Sequence, residues 1–183
     1  FAKYPSPQAL AAAKQPDVEG IIKSCGFFRM KAKNVIACAR DLVERFGGDV
    51  PSDRESLESL AGVGRKTASV VMAVAFGEAA LAVDTHVFRV AHRLGITLET
   101  TPRHVEDDLT ALVPREKWRL AAHWLILHGR AICKAPTPLC GRCPVNALCP
   151  TPAIIAKSST ARARSGGRVA AAPPPKRSPS KAK

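Results

Sequence analysis

An all-α fold is what this sequence predicts, and three observations predict it. Apolar residues recur three and four apart, most clearly at Val35, Ile36, Ala39, Leu42, Val43 and Phe46, which share one side of a helix. No stretch alternates apolar and polar residues with the period of two that a half-buried strand needs. Helix punctuation recurs, with Ser, Thr or Asp before the apolar runs and Gly after them.

The elements follow in order. Ser6 caps a short helix reaching Lys14, and Asp17 caps a second through Cys25 with Gly26 as its stop. Phe27 to Phe46 is the longest helix, ended by Gly47-Gly48, with Lys31 and Lys33 near its start turned to solvent. Cys25 and Cys38 read as small core residues. Ser52-Asp53-Arg54-Glu55 is a capping box that opens the next helix. Arg65 to Phe76 is apolar nearly all round and is therefore expected to be buried, with Gly77 as its stop. Asp84 caps a helix from Thr85 to Leu94, with Phe88, Ala91 and Leu94 inward, Arg89 and Arg93 on one side, and Gly95 as its stop. Thr101-Pro102 starts a helix to about Val113, and Pro114 a last long one through Ile132. His123 and His128 are five apart, on different helix faces, which argues against a shared metal; Trp118 and Trp124 are expected to pack.

Composition narrows the function. The 183 residues carry a net charge of +13, and apolar content is globular at 46%. From Thr151 on there are eight Lys or Arg and no acid, so the body keeps +5, that is 13 minus 8. This balance points to nucleic acid, although a basic tail on a nearly neutral body accounts for most of it. The tail, 151–183, is Ala, Pro, Ser, Lys and Arg and is expected to be disordered, adding salt-dependent affinity for DNA. No run approaches the ~20 apolar residues of a membrane span. The first residues do not form a signal peptide, and the missing initial methionine points to a fragment or a trimmed product.

The stretch Leu60-Ala61-Gly62-Val63-Gly64-Arg65-Lys66-Thr67 carries the strongest chemical signal. Two glycines between helical segments allow a tight turn whose N–H groups meet a helix start, a site suited to phosphate. Arg65 and Lys66 add positive charge. The turn alone reads equally as a plain helix corner with two solvated cations. Lys66, in the first turn of a helix, stands in the positive end of the dipole, which pushes an amine toward the neutral, nucleophilic form. Eighteen residues later Asp84 stands as an N-cap, a fixed carboxylate at a second helix start.

Cys133, Cys140, Cys143 and Cys149 follow a C-x6-C-x2-C-x5-C pattern. With no secretory signal, four thiols this close form a metal site more readily than two cramped disulfides. Zinc ribbons usually pair C-x2-C with a distant second C-x2-C. One such pair with two flanking cysteines suits a four-thiolate iron–sulfur cluster better, and zinc stays open on spacing alone. Pro136, Pro138, Pro144 and Pro150 stiffen the loop, and Lys134 and Arg142 make it basic.

Leu60 to Ala68 resembles the helix-hairpin-helix of the endonuclease III family of DNA glycosylases. Val83 to Val90, the run His123 to Arg130 and the cysteine spacing resemble that family too. Ala61 stands where the family usually has proline. The resemblance covers about residues 1 to 150. It implies a helical barrel domain over 1–114 with its hairpin at about 53–76, then a C-terminal helix and iron–sulfur loop over 115–150. It implies Lys66 as Schiff-base nucleophile, Asp84 as catalytic carboxylate, and Gly62, Val63, Gly64, Arg65, Lys134 and Arg142 at the DNA. It further implies a 4Fe-4S cluster on the four cysteines, removal of oxidised pyrimidines, and strand cleavage 3′ to the abasic site. The partner implied is duplex DNA with a damaged base or abasic site, met by a monomer in the bacterial cytoplasm, at the nucleoid and away from any membrane. Family members begin with additional helices that this chain lacks. Exposed apolar surface where they would dock and weakened base excision are therefore expected. Three rivals stay open: a related adenine glycosylase, which normally lacks the lysine; a non-enzymatic hairpin module; and a zinc-stapled structural protein.

Overall fold

A computed structural model describes residues 2–152, and the basic tail lies outside the described residues apart from Thr151 and Pro152. Within the described residues these α-helices run in order: α1 Pro7–Ala11, α2 Gln15–Ile22, α3 Phe28–Phe46, α4 Arg54–Glu58, α5 Arg65–Ala75, α6 Thr85–Leu94, α7 Pro102–Leu112 and α8 Trp118–Ala131. Short 3-10 turns sit at Arg115–Lys117, Cys140–Arg142 and Asn146–Leu148. Among the described residues there is no strand, so the all-α expectation holds.

Three apolar clusters organise these helices. Val18 of α2 and Ala32 and Ile36 of α3 meet Ala13, with Tyr4 and Leu10 against them. Leu57, Leu60 and Ala68 of the hairpin pack on Leu42 and Phe46 of α3. Leu81 and Val83 join Val87 and Ala91 of α6, Val105 and Leu109 of α7 and Ala122 of α8. The last cluster anchors the helix that Asp84 begins, and it draws α8 against α6.

Local chemistry sets most boundaries, and several differ from expectation. Ser6 does cap α1, accepting from Ala9 N–H at 3.2 Å, but the helix stops at Ala11. α2 starts at Gln15 instead of after Asp17, because Pro16 fits a first turn whose N–H groups have no helical partner. The cap of α4 is Asp53, one residue past Ser52; its Oδ1 accepts from Ser56 N–H at 2.8 Å. Those bonds to Ser56 hold the Asp53 carboxyl below the ordinary carboxylate range. The last helix begins at Trp118, after the 3-10 turn that follows Pro114. Gly47, Gly77 and Gly95 end their helices with positive φ as expected.

Burial corrects three expectations. Cys25 is exposed, whereas Cys38 is half-buried, and burial first and Asp41 second push its thiol pKa up. Trp118 packs and donates Nε1–H to Val113 O at 2.8 Å, but Trp124 is 56% exposed. α5 is not covered all round: Ala68, Ser69 and Ala73 are buried, while Val74 is 61% exposed and Phe76 39%. Trp124 and Leu127 of α8 are exposed as well, at 56% and 59%.

Candidate active site

The hairpin turn is held from three sides. Gly62 has φ +75°, and a Cβ there would lie 2.7 Å from Asn34 Cβ on α3, so glycine serves both the backbone angle and the close approach. Asp41, also on α3, accepts the Ala61 N–H at 2.9 Å. The Val63 N–H is spent inside the turn on Leu60 O at 3.1 Å, so of the three expected phosphate donors Val63 serves by shape. The Gly62 and Gly64 N–H groups have no partner among the described residues, and Gly64, the N-cap of α5, offers no side-chain cap. The first amides of α5 thus remain open donors at the positive end of the helix.

Arg65 and Lys66, the first two residues of α5, go different ways. Arg65 is turned onto α7, where Glu106 accepts from its Nε at 2.8 Å and its Nη2 at 3.2 Å. Its charge, expected at the phosphate, is already partnered. Lys66 is exposed and makes no side-chain hydrogen bond or ion pair among the described residues. Its amine is free to reach a guest at the turn.

Asp84 is placed as expected. Its Oδ1 accepts both the His86 N–H at 2.8 Å and the Val87 N–H at 2.9 Å, capping α6. Its Oδ2 has no partner among the described residues. One oxygen therefore belongs to the fold and the other to whatever enters the site. Next to this helix start lies a cleft of about 290 Å³ lined by His86, Arg89, Gly129, Arg130, Lys134 and Ala135. Most of its walls carry nitrogen bases or cations, a match for phosphate.

The cysteine loop leaves α8 and is clasped by α6. Arg89 donates to Gly129 O at 3.0 Å and Cys133 O at 3.2 Å. Arg93 donates to Lys134 O at 2.7 Å and Pro136 O at 2.9 Å. Lys134 and Arg142 are both exposed on this loop. All four cysteines are free thiols; Cys133 is buried and the others half-buried. Cys133 Sγ lies 3.5 Å from Arg93 Nη1, Cys143 Sγ 3.6 Å from His128 Nε2, and Cys149 Sγ donates to Arg93 O at 3.0 Å. Among the described residues no three such side chains converge into a metal-holding group. In residue type the loop nevertheless fits a four-thiolate cluster. It supplies four soft donors and no carboxylate, and a guanidinium and an imidazole face two of the sulfurs.

Comparison with known proteins decides the family. Residues 1–115 match the description "HhH-GPD superfamily base excision DNA repair protein". The chain belongs to this superfamily. A relative from Synechocystis, named endonuclease III, is 48% identical over 152 residues, covering 82% of this chain and 69% of its own. A solved non-covalent endonuclease III–DNA complex matches with a TM-score of 0.81 at 40% identity, over 86% of this chain and 74% of that one. A trapped endonuclease III–DNA covalent intermediate also matches at TM-score 0.81 with 41% identity, over 85% and 74% of the two chains.

Several residues that build this HhH-GPD site carry no signal in the sequence. Asn34, Asp41 and Glu106 lie in ordinary amphipathic helices, far along the chain from the turn they support. Arg89 and Arg93 stand out only as a pair on one helix side, and nothing local tells that they reach carbonyls some forty residues away.

Proposed function

We infer that this chain is a base-excision DNA glycosylase and abasic-site lyase that works through Lys66. The observation that carries this reading is the division of labour at two helix starts. α5 offers a free amine beside unspent N–H groups, and α6 offers a carboxylate with one oxygen fixed and one open. A module that only bound DNA would need the first set of donors and not the second.

A base must leave the stack before its sugar carbon can be reached. The open N–H groups of Gly62 and Gly64 and the first amides of α5 grip a backbone phosphate, with Val63 shaping the turn between them. Lys134 and Arg142 meet the backbone from the cysteine loop. Asp84 Oδ2 stabilises the positive charge that develops on the sugar or takes the proton from the Lys66 amine. Lys66 Nζ bonds to C1′ as the C1′–base bond breaks and the base leaves with a proton; the C1′–O4′ bond then opens, O4′ takes a proton, and a C1′=N imine to Lys66 remains. The resulting imine acidifies the C2′ proton; its loss breaks the C3′–O bond and cleaves the strand 3′ to the site. Oxidised pyrimidines are the proposed lesions. Cys133, Cys140, Cys143 and Cys149 would hold a 4Fe-4S cluster, which when bound supplies a structural cross-link between α8 and the loop. So held, the loop would present Arg142 and Lys134 to the DNA backbone. Among the described residues no helix is long and apolar enough to cross a membrane.

The test is borohydride trapping on a duplex with one abasic site. Wild type should form a covalent adduct and Lys66→Gln should form none. Undiminished adduct in the variant would move the chemistry to another amine.

A further inference from the structure

Glu106 is the one buried charged residue among the described residues, 7% exposed, and it lies on α7. It holds Arg65 in a two-pronged fork at 2.8 and 3.2 Å, and its Oε1 stands 3.6 Å from Arg54 Nη2 on α4. Arg54 in turn donates to the fully buried Ser69 of α5 at 3.0 Å and to Glu58 at 3.4 Å. One carboxylate thus ties both hairpin helices to α7. An ion pair with a buried carboxylate is a poor means to stability, since desolvation offsets much of its attraction. Its geometry, in contrast, is strict, because an Arg fork fixes direction as well as distance.

We propose that Glu106 is a positioning residue for Lys66, orienting the first turn of α5 and withholding the Arg65 charge from the phosphate site. Arg65 and Lys66 are consecutive on that turn, so pinning one guanidinium sets the direction from which the neighbouring amine projects. Lys66 has no partner of its own among the described residues and takes its aim from the backbone. Withholding Arg65 serves turnover. A further cation on the phosphate would tighten substrate, intermediate and product alike, which does not speed chemistry. The proposal rests on the reading of Lys66 as nucleophile.

The experiment is single-turnover trapping on an abasic-site duplex, titrated in full-length enzyme, for wild type, Glu106→Gln, Glu106→Asp, Arg65→Gln and the Arg65→Gln/Glu106→Gln double variant. In Glu106→Gln the saturating rate should fall roughly ten- to hundredfold, as a misaimed nucleophile requires. Affinity should hold or tighten, and the plot of log affinity against log salt should steepen by about one ion as Arg65 reaches a phosphate. Glu106→Asp should recover part of the rate. Arg65→Gln should lose rate without the steeper slope, and the double variant should be no slower than the worse single one. An unchanged saturating rate in Glu106→Gln overturns the proposal. So does a joint fall of rate, affinity and melting temperature with an unchanged slope, the signature of a merely structural pair. If wild type and Lys66→Gln trap equally, the nucleophile reading itself has failed, and that result is separate from any Glu106 outcome.

Discussion

The hairpin turn and the cysteine loop are both short, glycine- or proline-rich connections that face the same proposed ligand, yet they are held in opposite ways. The turn is closed by protein groups alone: Asp41 on the Ala61 N–H, Asn34 against Gly62, and Glu106 on Arg65. The loop is held by its backbone. Arg89 and Arg93 clasp its carbonyls. The phosphate grip proposed for the turn must be ready before DNA arrives, so its geometry is built from side chains of the fold. A staple needs only four donors near one another, and the proposed cluster would complete it.

The comparison breaks most openly if the loop proves as self-sufficient as the turn. In Cys143→Ser, or after iron removal, amide protection over 133–149 should drop by roughly a hundredfold or more, since the binding energy of a structural metal is folding energy. The amides of Ala61 and Ala68 should keep their protection in the same hydrogen-exchange experiment. Equal loss in both regions would mean that the hairpin leans on the cluster. Next in size is Gly62→Ala. A positive φ at a non-glycine residue costs roughly 1–3 kcal/mol, and the contact with Asn34 adds to it. Urea unfolding should show that loss, together with weakened affinity for an abasic duplex. Asp41→Ala should cost about 1–2 kcal/mol by leaving the Ala61 N–H unsatisfied, and Asp41→Asn less, read by the same unfolding midpoint.

The smallest effect sharpens the comparison through pH. Asp53 caps α4, and its bonds to Ser56 lower its carboxyl pKa in the folded state. A depressed carboxylate adds stability that is present above its unfolded pKa and is lost as pH falls through the folded one. The melting temperature of Asp53→Ala should therefore lie below that of wild type at neutral pH, and the two should converge in acid below the ordinary carboxylate range. A gap that persists in acid would assign the effect to something other than the charged cap.

Helix identity was legible in the sequence because spacing and punctuation are local. Asp84, Ser6 and the glycine stops sit where their residue types require. The shift of the α4 cap from Ser52 to Asp53 shows the limit, since two adjacent residues can each accept the same kind of bond. Lys66 and Asp84 were visible as residues, and their free atoms were not. That Oδ1 is spent, that Oδ2 is open and that Arg65 faces Glu106 depend on elements distant in the chain. The burial expected of α5 failed for a similar reason. Apolar character all round says that a helix seeks cover, and only neighbouring elements can supply it.

The double duty of Asp84 bears on how this chain would record a loss of function. Because one of its oxygens caps α6, drift to an apolar residue there would be purged for folding even in a lineage that no longer cuts DNA. Lys66 makes no side-chain hydrogen bond or ion pair among the described residues, so relaxed selection on the proposed chemistry would erase it first. In a related chain, an aspartate at this cap would speak for the fold alone, whereas a lysine at position 66 would speak for the proposed chemistry.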